Sequence, residues 1–295
     1  MRRELIIGAS GLVGSYLYRH AQQSGAEVYG TYCTHPAPGL LHLDMTDRAA
    51  LARSLEQTAP DVIYLPAANP NVEWVEEHPE AAYQVNVAAV LGLCDLLQGA
   101  RVKLVYYSSD YVFDGRSGPY TETDRPNPVS EYGRQKLAVE EAIQARLRDW
   151  LILRVTVVYG WEARSKNFAH RTVSQLRNGQ PLRVPVDQYG NPTYAPNLAE
   201  ASRELVAAGA TGLFHLAGET RQHRFDFARE VARVFDLPAE LLIPVTTDQL
   251  QQKARRPLEA GMVVSKAAAL LKTPLLGSTA GLLRMKDEER RFLHG

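Results

Sequence analysis

The chain has 295 residues, 45% hydrophobic and 22% charged, an ordinary balance for a globular protein able to bury a sizeable core. Its 33 basic and 33 acidic residues cancel, so no global field draws it to nucleic acid or to an anionic membrane. Two cysteines without metal spacing (Cys33 and Cys94), dispersed histidines, no secretory h-region and no apolar run of membrane length lead us to expect a cytoplasmic, metal-free protein.

The first half alternates short apolar runs with helical patterns. Residues 5–7 predict a strand, a glycine-rich turn follows, and 13–21 read as a helix. Residues 28–31 and 41–43 are the next strands, 48–57 a helix, and 61–65 a fourth strand. A long helix is expected over 79–97, then a strand over 103–107, a helix over 132–147 and a strand over 151–154. This alternation predicts an α/β fold, a Rossmann-type doubly wound parallel sheet with helices on both faces. After Gly160 the rhythm changes: helical 168–178, a polar loop over 188–196, a helix over 197–208, an isolated strand at 213–216 that can rejoin the sheet, and a helix over 225–235. We therefore divide the chain into a dinucleotide-binding domain, 1–160, to which segments within about 190–220 return, and a smaller C-terminal substrate lobe, 161–295.

Residues 8–14 (GASGLVG) follow the first strand and open the first helix. Gly8, Gly11 and Gly14, with Ser10, Leu12 and Val13 between them, permit a tight turn, the approach of a pyrophosphate and close helix–strand packing. The spacing is G-x-x-G-x-x-G rather than G-x-G-x-x-G. Dinucleotide preference is set at the end of the second strand, where an acid would hold a ribose 2′-hydroxyl. Here Thr31 opens a stretch with no acid (TYCTH), so the expectation leans to NADP over NAD. Asp44, beside Met45 at the end of the third strand, suits either an adenine amino group or the first turn of the next helix.

Tyr132 and Lys136, four residues apart on a predicted helix, share one face a turn apart. An ammonium there favours the phenolate and lowers a phenol pKa that is ordinarily about 10. The phenol then passes protons near neutral pH, and a nearby serine hydroxyl can hold the oxygen that changes charge. Ser108 and Ser109, at the end of the fifth main strand, offer that hydroxyl.

With these motifs in place, the chain resembles an extended short-chain dehydrogenase/reductase and in particular the dTDP-4-dehydrorhamnose reductase family. The likeness is carried by residues 8–14, by Ala67 and Ala68 with Asn86 beyond them, by 108–115 (SSDYVFDG), 132–136 (YGRQK), 187–193 (DQYGNPT) and 254–257 (ARRP). The resemblance implies Tyr132 as proton donor, Ser109 in the place of the catalytic Thr or Ser, and Lys136 on the nicotinamide ribose. Ala67 and Ala68 would line the cofactor path, and Asn86 would support the active-site helix. Asp110, Tyr111, Val157, Asn167, Phe168, Gln188, Thr193 and Arg256 would face a sugar nucleotide. The implied reaction passes hydride from NADP or NAD to a C4 ketone of a nucleotide-linked 4-keto-6-deoxy sugar, with a homodimer as an allowed assembly.

The chain departs from the family at Val157, where a tryptophan is usual, and at Pro66, which replaces an asparagine. A non-catalytic NADP-binding subunit like the regulatory beta subunit of methionine adenosyltransferase shares these motifs. Asp110 beside the serine also allows an epimerase or dehydratase. Trp74, Trp150 and Trp161 all read as packing residues before binding platforms, and Trp161 is the best functional candidate of the three because it follows the strand end expected to face the cleft. The charged run 287–291 reads as a solvated helix face.

Overall fold

The computed structural model describes residues 2–162 and 167–294, with side chains as far as residue 289. In chain order, the first half comprises β1 (Arg3–Ile6), α1 (Leu12–Gln23), β2 (Glu27–Tyr32), β3 (Leu40–His42), α2 (Arg48–Thr58), β4 (Val62–Leu65), α3 (Val72–Glu77), α4 (Pro79–Tyr83), α5 (Ala89–Leu97), β5 (Lys103–Ser109), α6 (Glu131–Arg146) and β6 (Trp150–Val155). The central strands are runs of apolar residues buried on both faces, as parallel strands between two helical layers must be.

Successive side chains of each strand point to opposite faces, and the core divides accordingly. Ile6, Tyr64, Val105 and Leu153 pack on one side, and Leu5, Ile63, Leu104 and Ile152 on the other.

The second half comprises β7 (Val158–Tyr159), α7 (Phe168–Arg177), β8 (Leu182–Pro185), β9 (Tyr189–Gly190), β10 (Thr193–Tyr194), α8 (Ala195–Ala207), β11 (Gly212–His215), β12 (Gln222–His223), α9 (Arg224–Val234), β13 (Leu242–Val245), α10 (Ser265–Ala268) and α11 (Ser278–His294). The main sheet has seven strands in the order β11-β6-β5-β4-β1-β2-β3, every pair parallel. It is a Rossmann-like fold. β11 thus returns to the sheet beside β6, and Leu198, Ala201 and Leu205 of α8 join the same core as Tyr16 and Leu17 of α1. Away from the sheet, Tyr159, Trp161, Phe227 and Leu282 form a separate core among α7, α9 and α11.

Three expectations change. The helix expected over 79–97 is continuous but carries a π turn at Gln84–Ala88 between α4 and α5, a feature that often marks functional sites. By length and composition this helix is apolar enough to span a membrane, contrary to the reading of the sequence. Its apolar residues Val87, Val90, Leu93 and Leu97 are buried under the sheet. The run 287–291 is also not simply solvated, because Glu288 accepts the Tyr194 hydroxyl at 2.7 Å and Glu289 pairs with Arg177. Arg290 and Arg291 lie outside the described side chains.

Candidate functional site

The glycine turn is closed by contact between backbones. Gly8 has φ +94°, and a Cβ there would stand 2.9 Å from that of Ala67; a Cβ at Gly14 would stand 2.1 Å from the Gly8 carbonyl oxygen. The turn, α1 and β4 therefore pack as closely as a chain allows. α1 has no side-chain cap and no acid in its first turn, and Ser10 and Gly11 are exposed. Free amides at a helix N-terminus beside glycine backbone fit a dinucleotide's phosphates. Ala67 and Ala68 line the rim after β4, with the Ala67 amide donating to the Ile7 carbonyl at 3.2 Å.

Several residues expected to touch the cofactor also make contacts within the scaffold. Thr31 is buried and its hydroxyl accepts the Gly8 amide at 3.2 Å, so it holds the turn from beneath. Met45 is buried in the core under the sheet, and Leu12 and Val13 are half-buried against the opposite core. Asp44 Oδ1 accepts the Thr46 amide and hydroxyl at 2.9 and 2.7 Å, which lowers its pKa. The cap of α2 is Asp47, not Asp44.

Ser109, Tyr132 and Lys136 come together where β5 ends. Ser130 caps α6 by accepting the Gly133 amide at 3.3 Å. Gly133 is required because a Cβ there would lie 2.1 Å from the Tyr111 carbonyl oxygen. α6 thereby presses Tyr132 against the turn that carries Ser109, Asp110 and Tyr111. The Tyr132 and Tyr111 rings meet edge to face at 5.6 Å. Ser109 donates to Asp110 Oδ1 at 3.0 Å and accepts the Tyr111 amide at 3.2 Å. Asp110 Oδ2 accepts the Thr156 hydroxyl at 2.6 Å, tying the ends of β5 and β6 together. Burial raises the Asp110 pKa against these hydrogen bonds.

Lys136 departs from the expected role of depressing the phenol. Its Nζ donates to the Tyr107 carbonyl at 2.8 Å and lies 4.7 Å from the Tyr106 ring centroid, against 5.8 Å from that of Tyr132. Burial lowers the lysine to about 8, partly countered by Glu140. The Tyr132 pKa is raised, not lowered, first by burial and then by Tyr111 and Asp110, with Ser109 opposing. Desolvation outweighs the charge four residues away. The Ser108 hydroxyl is buried without a hydrogen-bond partner among the described residues.

Behind this group Asn86, in the π turn, accepts the Asn69 amide at 2.7 Å and donates to Gln135 Oε1 at 3.1 Å. Gln135 in turn donates to the Pro79 carbonyl at 3.1 Å. Asn86 so joins the loop after β4 to the helix that carries Tyr132 and Lys136. A bidentate pair of Arg154 with Glu140, both almost fully buried, fastens that helix to β6.

A model for the RmlD substrate binding domain matches residues 2–290. This chain belongs to that family. The Sulfolobus tokodaii hypothetical dTDP-4-dehydrorhamnose reductase is 34% identical, with a TM-score of 0.84 over 93% of this chain and 96% of that one. The Bacillus anthracis dTDP-4-dehydrorhamnose reductase, solved in complex with NADP, shares the fold at TM-score 0.88 over 98% of this chain and all of its own, with 24% identity. The probable low-salt glycan biosynthesis reductase Agl14 of Haloferax volcanii is 33% identical over 88% of this chain and 89% of its own. Methionine adenosyltransferase 2 subunit beta of Rattus norvegicus is 32% identical over 91% of this chain and 82% of its own.

In this RmlD-type chain, the residues that the resemblance assigns to a sugar nucleotide have the following surroundings. Asn167 caps α7 by accepting the His170 amide at 3.1 Å, and its Nδ2 donates to the Gly160 carbonyl and to Glu162. Thr193 is buried, donating to the Thr156 carbonyl at 2.7 Å and accepting the Gly218 amide at 3.2 Å. Gln188 is buried too and donates to the Thr247 hydroxyl at 3.0 Å. Trp161 is buried, its indole donating to the Met285 carbonyl at 2.7 Å, so it packs rather than binds. All four carry hydrogen bonds of the scaffold. Val157 stays half-buried with φ +45°, a backbone that β-branched residues rarely adopt, and its carbonyl accepts the Thr193 amide at 3.1 Å. Phe168 stacks on Phe227 and carries the Arg224 guanidinium 4.9 Å above its ring.

Arg224 and Arg171 escaped the reading of the sequence. Arg224 feels Tyr111 and Asp110, which favour its charge, and Arg171 and Arg256, which oppose it, while burial lowers its pKa most. Arg224 and Arg256 thus stand near the serine turn, with Arg171 within electrostatic reach of Arg224. One signal was present: Arg224 opens α9, where a cation opposes the helix dipole. Arg256 pairs with Glu73 and its Cζ lies 5.9 Å from the Tyr111 ring centroid.

Proposed function

We propose that the protein is an NAD(P)H-dependent reductase of a nucleotide-linked 4-keto-6-deoxy sugar, like a dTDP-4-dehydrorhamnose reductase, with NADP preferred. The observation that carries this reading is the convergence of Ser109, Tyr132 and Lys136 at the end of β5, with Arg224 and Arg256 near the same turn. Residues 8–14 with Ala67 and Ala68 would hold a nicotinamide cofactor, which when bound would supply hydride for the C4 ketone. Tyr132 gives its proton to the oxygen as negative charge develops there, and burial keeps that proton in place until it is needed. Ser109 donates to the same oxygen once its hydroxyl turns from Asp110. Lys136 holds the nicotinamide ribose, and the arginines suit the diphosphate.

The test is to mix the full chain with NADPH and a panel of dTDP- and UDP-linked 4-keto sugars and follow cofactor oxidation. Oxidation with one of them supports the reading. A chain that binds NADPH tightly yet oxidises it with none of them is instead a binding subunit. That second reading is favoured by the likeness to the rat methionine adenosyltransferase subunit.

A further inference from the structure

Helix α3 stands between the helix that carries Tyr132 and the segment that carries Arg256, and its three glutamates reach both. Glu76 accepts the Glu131 amide at 2.8 Å, in the first turn of α6, and Val75 packs in one cluster with Tyr132. Glu77 pairs with Lys253. Glu73 does more: one carboxylate oxygen accepts the Lys253 amide at 2.9 Å and the other takes Arg256 Nη2 at 2.5 Å.

The Arg256 side chain is only 9% exposed, and its Nη1 is buried with no hydrogen-bond partner among the described residues. An arginine fork is rigid and planar, so fixing one nitrogen fixes where the other points. Glu73 holds the Nη2 side and Gln252 Oε1 accepts Nε at 3.3 Å, so Nη1 is left over, beside the Tyr111 ring and within electrostatic reach of Arg224. A buried donor without an acceptor is unfavourable and suits a ligand oxygen.

We propose that Glu73 is a positioning residue: it orients Arg256 so that Nη1 meets the diphosphate of a nucleotide-linked ligand. This inference rests on the sugar-nucleotide reading of the cleft. The carboxylate also lowers the local positive potential, so an opposite outcome is physically available. If Glu73 acts mainly as a competitor for Arg256, its removal tightens anion binding.

The experiment is calorimetric titration of the NADPH-loaded full chain with dTDP and with UDP. Glu73→Gln should weaken the nucleotide that binds by about tenfold, within the range of couplings between contacting residues. NADPH affinity should stay as in the parent. Glu77→Gln, which removes an exposed pair on the same segment, should leave nucleotide affinity unchanged. The decisive readout is the double-mutant cycle: Glu73→Gln with Arg256→Gln should bind no more weakly than Arg256→Gln alone. Unchanged or tighter binding by Glu73→Gln, or strict additivity in the cycle, overturns the proposal and leaves the reductase reading standing. If the parent binds NADPH but neither nucleotide, the sugar-nucleotide reading and this inference fall together.

Discussion

The Tyr132 phenol keeps its proton at neutral pH, because burial and the neighbouring Tyr111 and Asp110 raise its pKa beyond what Ser109 offsets. That is the state a reductase needs, since the phenol must be a donor when hydride arrives. Tyr132→Phe should therefore lower turnover about 10²–10⁴-fold, the usual weight of a positioned proton donor. NADPH affinity, read by fluorescence titration, should stay close to the parent's. Equal loss of both would make Tyr132 a packing residue. Lys136 sets a different limit. With its pKa brought down to about 8 by burial, the ligand-free protein loses this charge as pH rises through that value. kcat/KM, which reports groups of the free enzyme, should fall on the alkaline side of about pH 8. Lys136→Met should abolish that limb and leave a low, flat profile. A limb that persists in the variant would assign it to another group.

Helix α6 is placed by two contacts that its own sequence hardly advertises. Gly133 lets the helix approach the Tyr111 carbonyl, where an added Cβ would sit 2.1 Å from the oxygen. In an exposed helix interior Gly→Ala usually stabilises by about 1 kcal/mol. Here Gly133→Ala should do the reverse, lowering the thermal midpoint and moving Tyr132 away from Ser109, so that activity falls while helix content by circular dichroism persists. Two turns further on, Glu140 pairs with Arg154, the two side chains 1% and 3% exposed. Glu140→Gln leaves a guanidinium buried without its counter-charge, and removing one partner of such a pair costs about 3–5 kcal/mol. Urea midpoints should report that loss, and Glu140→Leu with Arg154→Met should recover most of it. If the double substitution is no better than Glu140→Gln, the pair matters through something other than its charge.

Across the whole molecule, the alternation of apolar runs made the parallel sheet legible, because a doubly buried strand admits little but aliphatic and aromatic side chains. The Tyr132/Lys136 spacing and the glycine turn were legible for a similar reason: few residues meet their geometric demands. The substrate side was harder. Asn167, Gln188 and Thr193 have the look of ligand-binding groups, yet caps and strand ends needed their hydrogen bonds first. Arg224 comes near Tyr111 and Asp110 through tertiary packing of α7 and α9, which no local pattern encodes. The same tertiary coupling governs how the chain divides. α8 covers α1, and β11 completes the sheet beside β6, so residues 195–216 close the core of the dinucleotide-binding half. A fragment of residues 1–160 would expose the apolar face of α1 and leave β6 as an open edge. It should fail to bind NADPH and show no cooperative unfolding transition. The full chain should unfold in one transition, stabilised by about 2.7 kcal/mol when NADPH is at a hundred times its Kd. Native NADPH affinity in the short fragment would show that the first half folds alone, and that the returning helix and strand are additions to a complete domain.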